Sequence, residues 1–214
     1  MSKIHVRYEV AKSGLVVLCL LAIALLTVLF PPRIRPISHA RLLDVTIHGE
    51  NQSMSNPGFS ILDYIQSFET GLTPEEEWEL ASLIYFESQK YGYDPEFILA
   101  LIQIESAFNP TAVSVVGARG LMQIMPATGR ELAGEFGIEW EGTDTLENPS
   151  INVRMGMYYL FKMLLKYEDL RLALVAYNCG PGAVDGMLHR GAMLPADYVE
   201  KVMGTYEKIK IQDM

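Results

Sequence analysis

Thr73–Pro110 reads TPEEEWELASLIYFESQKYGYDPEFILALIQIESAFNP, and its periodicity decides the fold class. Thr73, Pro74 and Glu76 supply an N-cap, a first-turn proline and a capping-box glutamate. Trp78, Leu80, Ala81, Ile84 and Tyr85 then recur at helical spacing as far as Gly92. Asp94-Pro95-Glu96 opens a second helix by the same logic, with Phe97, Ile98, Ala100, Leu101 and Ile102 as its apolar set. That helix ends near Phe108, because Asn109-Pro110 is a turn signal: the residue before a proline is pushed out of the helical region.

The same punctuation continues downstream. Residues 111–120 read as a loop ending in Gly117-Ala118-Arg119-Gly120, Leu121–Ile124 as a short helix, and Pro126 to about Phe136 as a longer one. Gly137–Leu146 is a second loop. Asn148-Pro149 caps a long helix through Met155, Tyr159, Leu160 and Met163 to Lys166. Leu170–Tyr177 is helical, Gly180-Pro181-Gly182 breaks it, and two further helices fit 182–190 and 196–209. No stretch alternates with period two. Residues 73–214 therefore read as one mostly α domain.

Upstream, residues 1–13 are a short basic segment with Lys3, Arg7 and Lys12. Gly14–Phe30 (GLVVLCLLAIALLTVLF) is 17 residues without a charge. As a helix it spans roughly 25 Å, near the lower limit for crossing a bilayer. It lacks the polar face of a core helix, so it is expected to be a transmembrane anchor or a signal peptide. The anchor is favoured, because the small-residue site Ser38-His39-Ala40 lies ten residues beyond Phe30 and past Pro31-Pro32. Residues 31–72, punctuated by proline, asparagine, serine and glycine, read as a linker or stalk, with Ile61–Phe68 adding a short amphipathic piece.

The chain carries a formal net charge of -9. Residues 42–214 hold 11 of the Lys/Arg and 25 of the Asp/Glu, a net of -14. Such a domain repels nucleic acid phosphates, whereas a neutral or mixed-charge sugar polymer is compatible with it. Cys19 and Cys179 are too far apart in character and position for a disulfide framework. No Cys/His spacing resembles a metal site, and no cofactor is expected.

Glu105 stands out because it sits late on an apolar helix, where a carboxylate is costly unless paired or neutral. It begins the run Glu105-Ser106-Ala107-Phe108-Asn109-Pro110, which leads through Ala112-Val113-Ser114 into Gly117-Ala118-Arg119-Gly120-Leu121-Met122-Gln123-Ile124-Met125-Pro126-Ala127-Thr128. Glu147-Asn148-Pro149 with Asn152, Ala176-Tyr177-Asn178-Cys179-Gly180-Pro181-Gly182, and Tyr198-Val199 follow in order. Together these motifs resemble the soluble lytic transglycosylase (SLT) domain, a family with a lysozyme-like, mainly helical fold, over about residues 84–209.

The resemblance implies roles residue by residue. Glu105 matches the catalytic acid/base. Ser114 and Gln123 match polar groups that hold the sugar N-acetyl and nearby atoms. Met122 and Met125 match the apolar wall of the cleft. Tyr177 matches a tyrosine whose hydroxyl reaches the catalytic Glu, and Asn178 and Tyr198 match floor groups or groups just behind them. Cys179 departs from the family's usual small residue and reads as packing. Gly117 and Gly120 are either plain turn glycines or points of close backbone approach to a sugar.

The activity implied is cleavage of the MurNAc-β-1,4-GlcNAc bond of peptidoglycan with 1,6-anhydroMurNAc ends, by an enzyme anchored in the inner membrane with its catalytic domain in the periplasm. Its partners would be peptidoglycan glycan strands, the inner membrane through residues 14–30, and proteins of an envelope machine. The residues between Ser106 and Thr128 include no Asp or Glu that could act as a second carboxylate. Two other readings stay open at this stage: a lysozyme-like hydrolase on the same scaffold, and a non-catalytic glycan-binding scaffold.

Overall fold

The computed structural model describes residues 57–212. The segment 1–13, the expected anchor at 14–30, most of the expected linker and Cys19 lie outside the described residues. Among those described, eight helices follow one another: α1 (Pro57–Gln66), α2 (Pro74–Tyr91), α3 (Pro95–Ser106), α4 (Pro126–Phe136), α5 (Pro149–Tyr167), α6 (Leu170–Cys179), α7 (Pro181–His189) and α8 (Asp197–Gln212). A 3-10 turn, Thr143–Glu147, precedes α5. No helix among the described residues is long and apolar enough to cross a membrane.

Six of these helices begin with proline, whose missing N–H is unneeded in a first turn and whose fixed φ suits the helix; this made the starts at Pro74, Pro95, Pro126 and Pro149 readable, while Pro57 was read as part of the linker. Side-chain caps complete the starts of α2, α3, α5 and α6. Thr73 Oγ1 accepts from Glu76 N at 3.2 Å while Glu76 accepts from Thr73 N at 2.8 Å. Asp94, Asn148 and Asp169 cap α3, α5 and α6 by accepting from the N–H of Glu96, Ile151 and Leu172. Left-handed Gly92 and Gly137 close α2 and α4.

α3 is the central helix. Phe97 through Ile102 are all buried, as expected of a helix with no polar stripe over that run. It packs against α8, α1 and α2, while α5 packs against α6 and α2. The mostly helical expectation therefore holds over the described residues.

Two boundaries are corrected. The expected linker 31–72 does not extend to its stated end. Ile61 and Ile65 of α1 are 2% and 0% exposed and belong to the main core. Their i, i+4 spacing lays one apolar stripe against α2 and α3. The folded domain thus includes residues 57–72, ahead of the expected start at Thr73. Leu121–Ile124 is not a helix either. Gly120 and Gln123 both have left-handed backbones, at φ 78° and 48°, and Arg119 forms isolated antiparallel bridges with Val113 and Ile124 instead.

If α1 is part of the core, truncating it carries a core penalty. Ile65→Ala is expected to cost about 3 kcal/mol, the usual range for emptying a fully buried site. Urea unfolding followed by circular dichroism measures it, and a change below roughly 0.5 kcal/mol, typical of an exposed position, would return the segment to linker status.

Candidate active site

α3 ends in an abrupt reversal. Ala107 and Phe108 follow one another with φ of 50° and 62°, a conformation that costs a residue with a Cβ roughly 1–2 kcal/mol. Packing supports it. Phe108 is fully buried, with its ring 4.7 Å from Phe68 and 6.1 Å from Tyr64. Tyr64 also donates to Gln103 Oε1 at 2.6 Å. The residues once expected to be linker therefore buttress the end of the helix that carries Glu105.

Glu105, on that last turn, lines a cavity of about 330 Å³. Ser114, Gln123, Met125, Tyr177 and Asn178 line it too, so five other expected site residues converge on one space. Ser114 Oγ accepts from Ala118 N at 3.0 Å, which leaves its proton free to donate. Gln123 Nε2 donates to the carbonyls of Gly120 at 2.9 Å and Ala112 at 3.2 Å, leaving the amide oxygen as the end open to a ligand. Asn178 is exposed, and Met125 is 41% exposed on the wall.

Three expectations change. Met122 is 0% exposed and is core, not cleft wall; its side chain packs against Gly156 of α5. Tyr177 is buried and donates to Met122 O at 2.7 Å rather than to Glu105. The hydroxyl that reaches Glu105 belongs to Tyr198, which lies near the start of α8 and donates to Glu105 Oε1. The structure adds Val116, Thr128, Tyr159 and Cys179 to the lining. Thr128 ends a quoted motif and Cys179 sits in another, but nothing separated Tyr159 from the apolar face of its helix.

The cavity rests on a buried polar support. Asn152 of α5 is 0% exposed. Its Oδ1 accepts from Met122 N at 2.7 Å, and its Nδ2 donates to Leu146 O at 2.8 Å and Arg119 O at 2.9 Å. Ser106 Oγ donates to Leu121 O at 2.8 Å, joining the end of α3 to the same loop. A buried amide with every polar atom paired is stabilising, because each partner would otherwise be left unsatisfied.

Burial raises the Glu105 carboxyl from its ordinary 4.5 to about 7, and the Tyr198 hydrogen bond opposes that rise by favouring the ionised form. Burial also holds the Tyr198 and Tyr177 hydroxyls well above the usual tyrosine range, so both stay protonated donors. A carboxyl at about 7 is half protonated near neutral pH, which suits a general acid that must next act as a base. If its protonated form starts the reaction, kcat/KM falls as pH rises through about 7. Tyr198→Phe removes the bond that favours the anion, so this limb moves to higher pH. A rate–pH profile of both proteins measures it, and a shift to lower pH would contradict the assignment.

The profile described as Transglycosylase SLT domain matches residues 82–192. The chain belongs to this family. Residues of this SLT domain are 39% identical over 107 positions to the membrane-bound lytic murein transglycosylase C of Actinobacillus pleuropneumoniae serotype 5b (strain L20), covering 45% of this chain and 29% of that protein. The protein of the same name from Haemophilus influenzae (strain PittGG) is 39% identical over 115 positions, covering 48% of this chain and 31% of that protein. The match thus spans less than a third of these curated relatives. The solved complex of the 70-kDa soluble lytic transglycosylase with bulgecin A superposes with a TM-score of 0.50 at 24% identity, over 72% of this chain and 28% of that one. That likeness is one of fold, and it agrees with the mostly helical, lysozyme-like arrangement.

Proposed function

We propose that the chain is a peptidoglycan lytic transglycosylase that cleaves the MurNAc-β-1,4-GlcNAc bond with Glu105 as its single acid/base. The observation that carries this reading is the cavity lining: among the described residues Glu105 is the one Asp or Glu in it, it is held half neutral near pH 7, and donors and acceptors surround it. Asp144 is exposed, and Glu147 pairs with Arg119; neither lines the cavity. Membership of the SLT family and the names of the relatives support the same chemistry.

One carboxyl suffices when the substrate supplies the rest. Protonated Glu105 donates to the oxygen linking muramic acid to glucosamine. The muramic 2-acetamido group stabilises the positive C1 as that bond breaks. Glu105, now ionised and steadied by Tyr198, takes the proton of the C6 hydroxyl. The C6 oxygen closes on C1 to give the 1,6-anhydro end, and Glu105 is protonated again with no water consumed. Ser114 and the Gln123 amide oxygen hold the substrate's polar groups, with Met125 and Asn178 beside them.

The name of the relatives includes "membrane-bound", and the uncharged run 14–30 fits an inner-membrane anchor with the catalytic domain in the periplasm. Residues 31–56 would then act as the tether. Envelope-machine proteins would be its partners there.

Mass spectrometry of the soluble products from sacculi incubated with the full chain in detergent tests the reaction. Muropeptides one water lighter and resistant to borohydride are expected. Reducible ends of full mass would make the enzyme a hydrolase, and binding without release would make the domain a scaffold.

A further inference from the structure

The segment Ser114–Met125 supplies six residues to the cavity lining. Its own backbone folds on itself: Ser114 N donates to Ala118 O at 2.9 Å, and Arg119 and Ile124 exchange N–H···O bonds at 3.0 and 2.9 Å. Arg119 is the hub of that small knot. Its backbone pairs with Val113 on one side and Ile124 on the other. Any displacement of residue 119 is thus passed to both Ser114 and Gln123.

The Arg119 side chain leaves the knot. Its Nη1 lies 2.5 Å from Glu147 Oε1, the one ion pair described for this segment. Glu147 ends the 3-10 turn directly before Asn148, the cap of α5. The pair therefore ties the segment to the start of the helix that supplies Asn152 beneath it and Tyr159 to the cavity. The two side chains are 26% and 35% exposed, and pairs so accessible contribute little to global stability. Location, not strength, is what the pair offers.

We propose that Arg119 is a positioning residue for the transglycosylase reading above: its ion pair with Glu147 holds the Ser114–Met125 wall at the spacing that lets Ser114 and Gln123 meet a sugar beside Glu105. It touches no substrate itself.

A charge-swap cycle on the full chain tests this, with Arg119→Glu, Glu147→Arg and the double variant assayed on purified glycan strands. Each single reversal is expected to raise KM by about tenfold, a loss in keeping with small misplacements of substrate-holding groups. The kcat and the high-pH limb set by Glu105 should change little, and the double variant should recover most of the KM. A fall in kcat and melting temperature with KM unchanged, or a double variant as poor as the singles, would overturn the proposal.

Amide hydrogen exchange supplies a readout without turnover. In the single variants the amides of Ala118, Arg119, Gly120 and Ile124 should exchange faster than in the wild type and slow again in the swap, with α3 unchanged. Equal exchange in all four proteins would overturn the proposal. Should the wild type cut nothing, the functional reading falls, and the exchange series still decides whether the pair holds the wall.

Discussion

Glu105→Gln is expected to lose at least ~100-fold in the cutting of glycan strands, the range for removing a positioned general acid. The substitution keeps shape and one acceptor, so Tyr198 can still donate to residue 105. What it removes is the proton that the bridging oxygen receives and the base that later accepts one from C6. Among the described residues no other Asp or Glu lines the cavity to take over. Retention of more than a per cent or so of activity would sink the single-acid scheme and reopen the search for a second carboxylate.

The same variant carries a stability signature of opposite sign. Because burial raises the folded pKa to about 7 from 4.5, the folded protein keeps a proton between those values that the unfolded chain gives up. Stability from this group is complete below pH 4.5 and is lost as pH rises, by about 3 kcal/mol at pH 7 and above. Gln carries no charge to bury. Glu105→Gln should therefore be more stable than wild type at pH 8 and nearly equal to it at pH 4.5. Urea midpoints at the two pH values measure this. A variant that is dead and also less stable at pH 8 would point to damage rather than lost chemistry.

Much of this was readable from residue order, for identifiable reasons. Thr73, Asp94, Asn148 and the first-turn prolines act within a turn of their own position, so helix starts could be read locally. Glu105 could be read because the motifs around it are contiguous. Features that depend on how distant elements cross were less legible. Tyr177 and Tyr198 both lie near Glu105, and only the packing of α6 and α8 decides that Tyr177 turns to Met122 O while Tyr198 reaches the carboxyl. Tyr159 follows the apolar periodicity of α5, so its place in the cavity resembles a core position. Gln123 at φ 48° carries no local signal for its left-handed turn. Ile61 and Ile65 form a two-residue stripe among breakers, too short to outweigh Asn56-Pro57-Gly58 before them.

Gly120→Ala is the substitution expected to damage the fold most, by roughly 3–5 kcal/mol, with loss of activity as a consequence. Two costs add. Gly120 has φ 78°, which a side chain tolerates poorly, and a Cβ there would collide with the Asn152 amide and the Leu146 carbonyl oxygen. Neither neighbour can yield cheaply, since Asn152 holds Met122 N, Arg119 O and Leu146 O at once. Gly117 provides the control. Its φ is 88°, but nothing lies within 4 Å of the added Cβ, so Gly117→Ala should cost only about 1 kcal/mol of backbone strain. Set against a typical total of roughly 5–15 kcal/mol, the first change removes a large share of the protein's stability and the second does not. Urea unfolding of the two variants separates conformation from contact: equal losses would mean that Asn152 can move aside and that both glycines serve the turn alone. Unequal losses would mean that the close approach at Gly120 is to the protein's own polar support. Gly120 is buried and does not line the cavity, so its small size serves the wall that faces the sugar and not contact with the sugar itself.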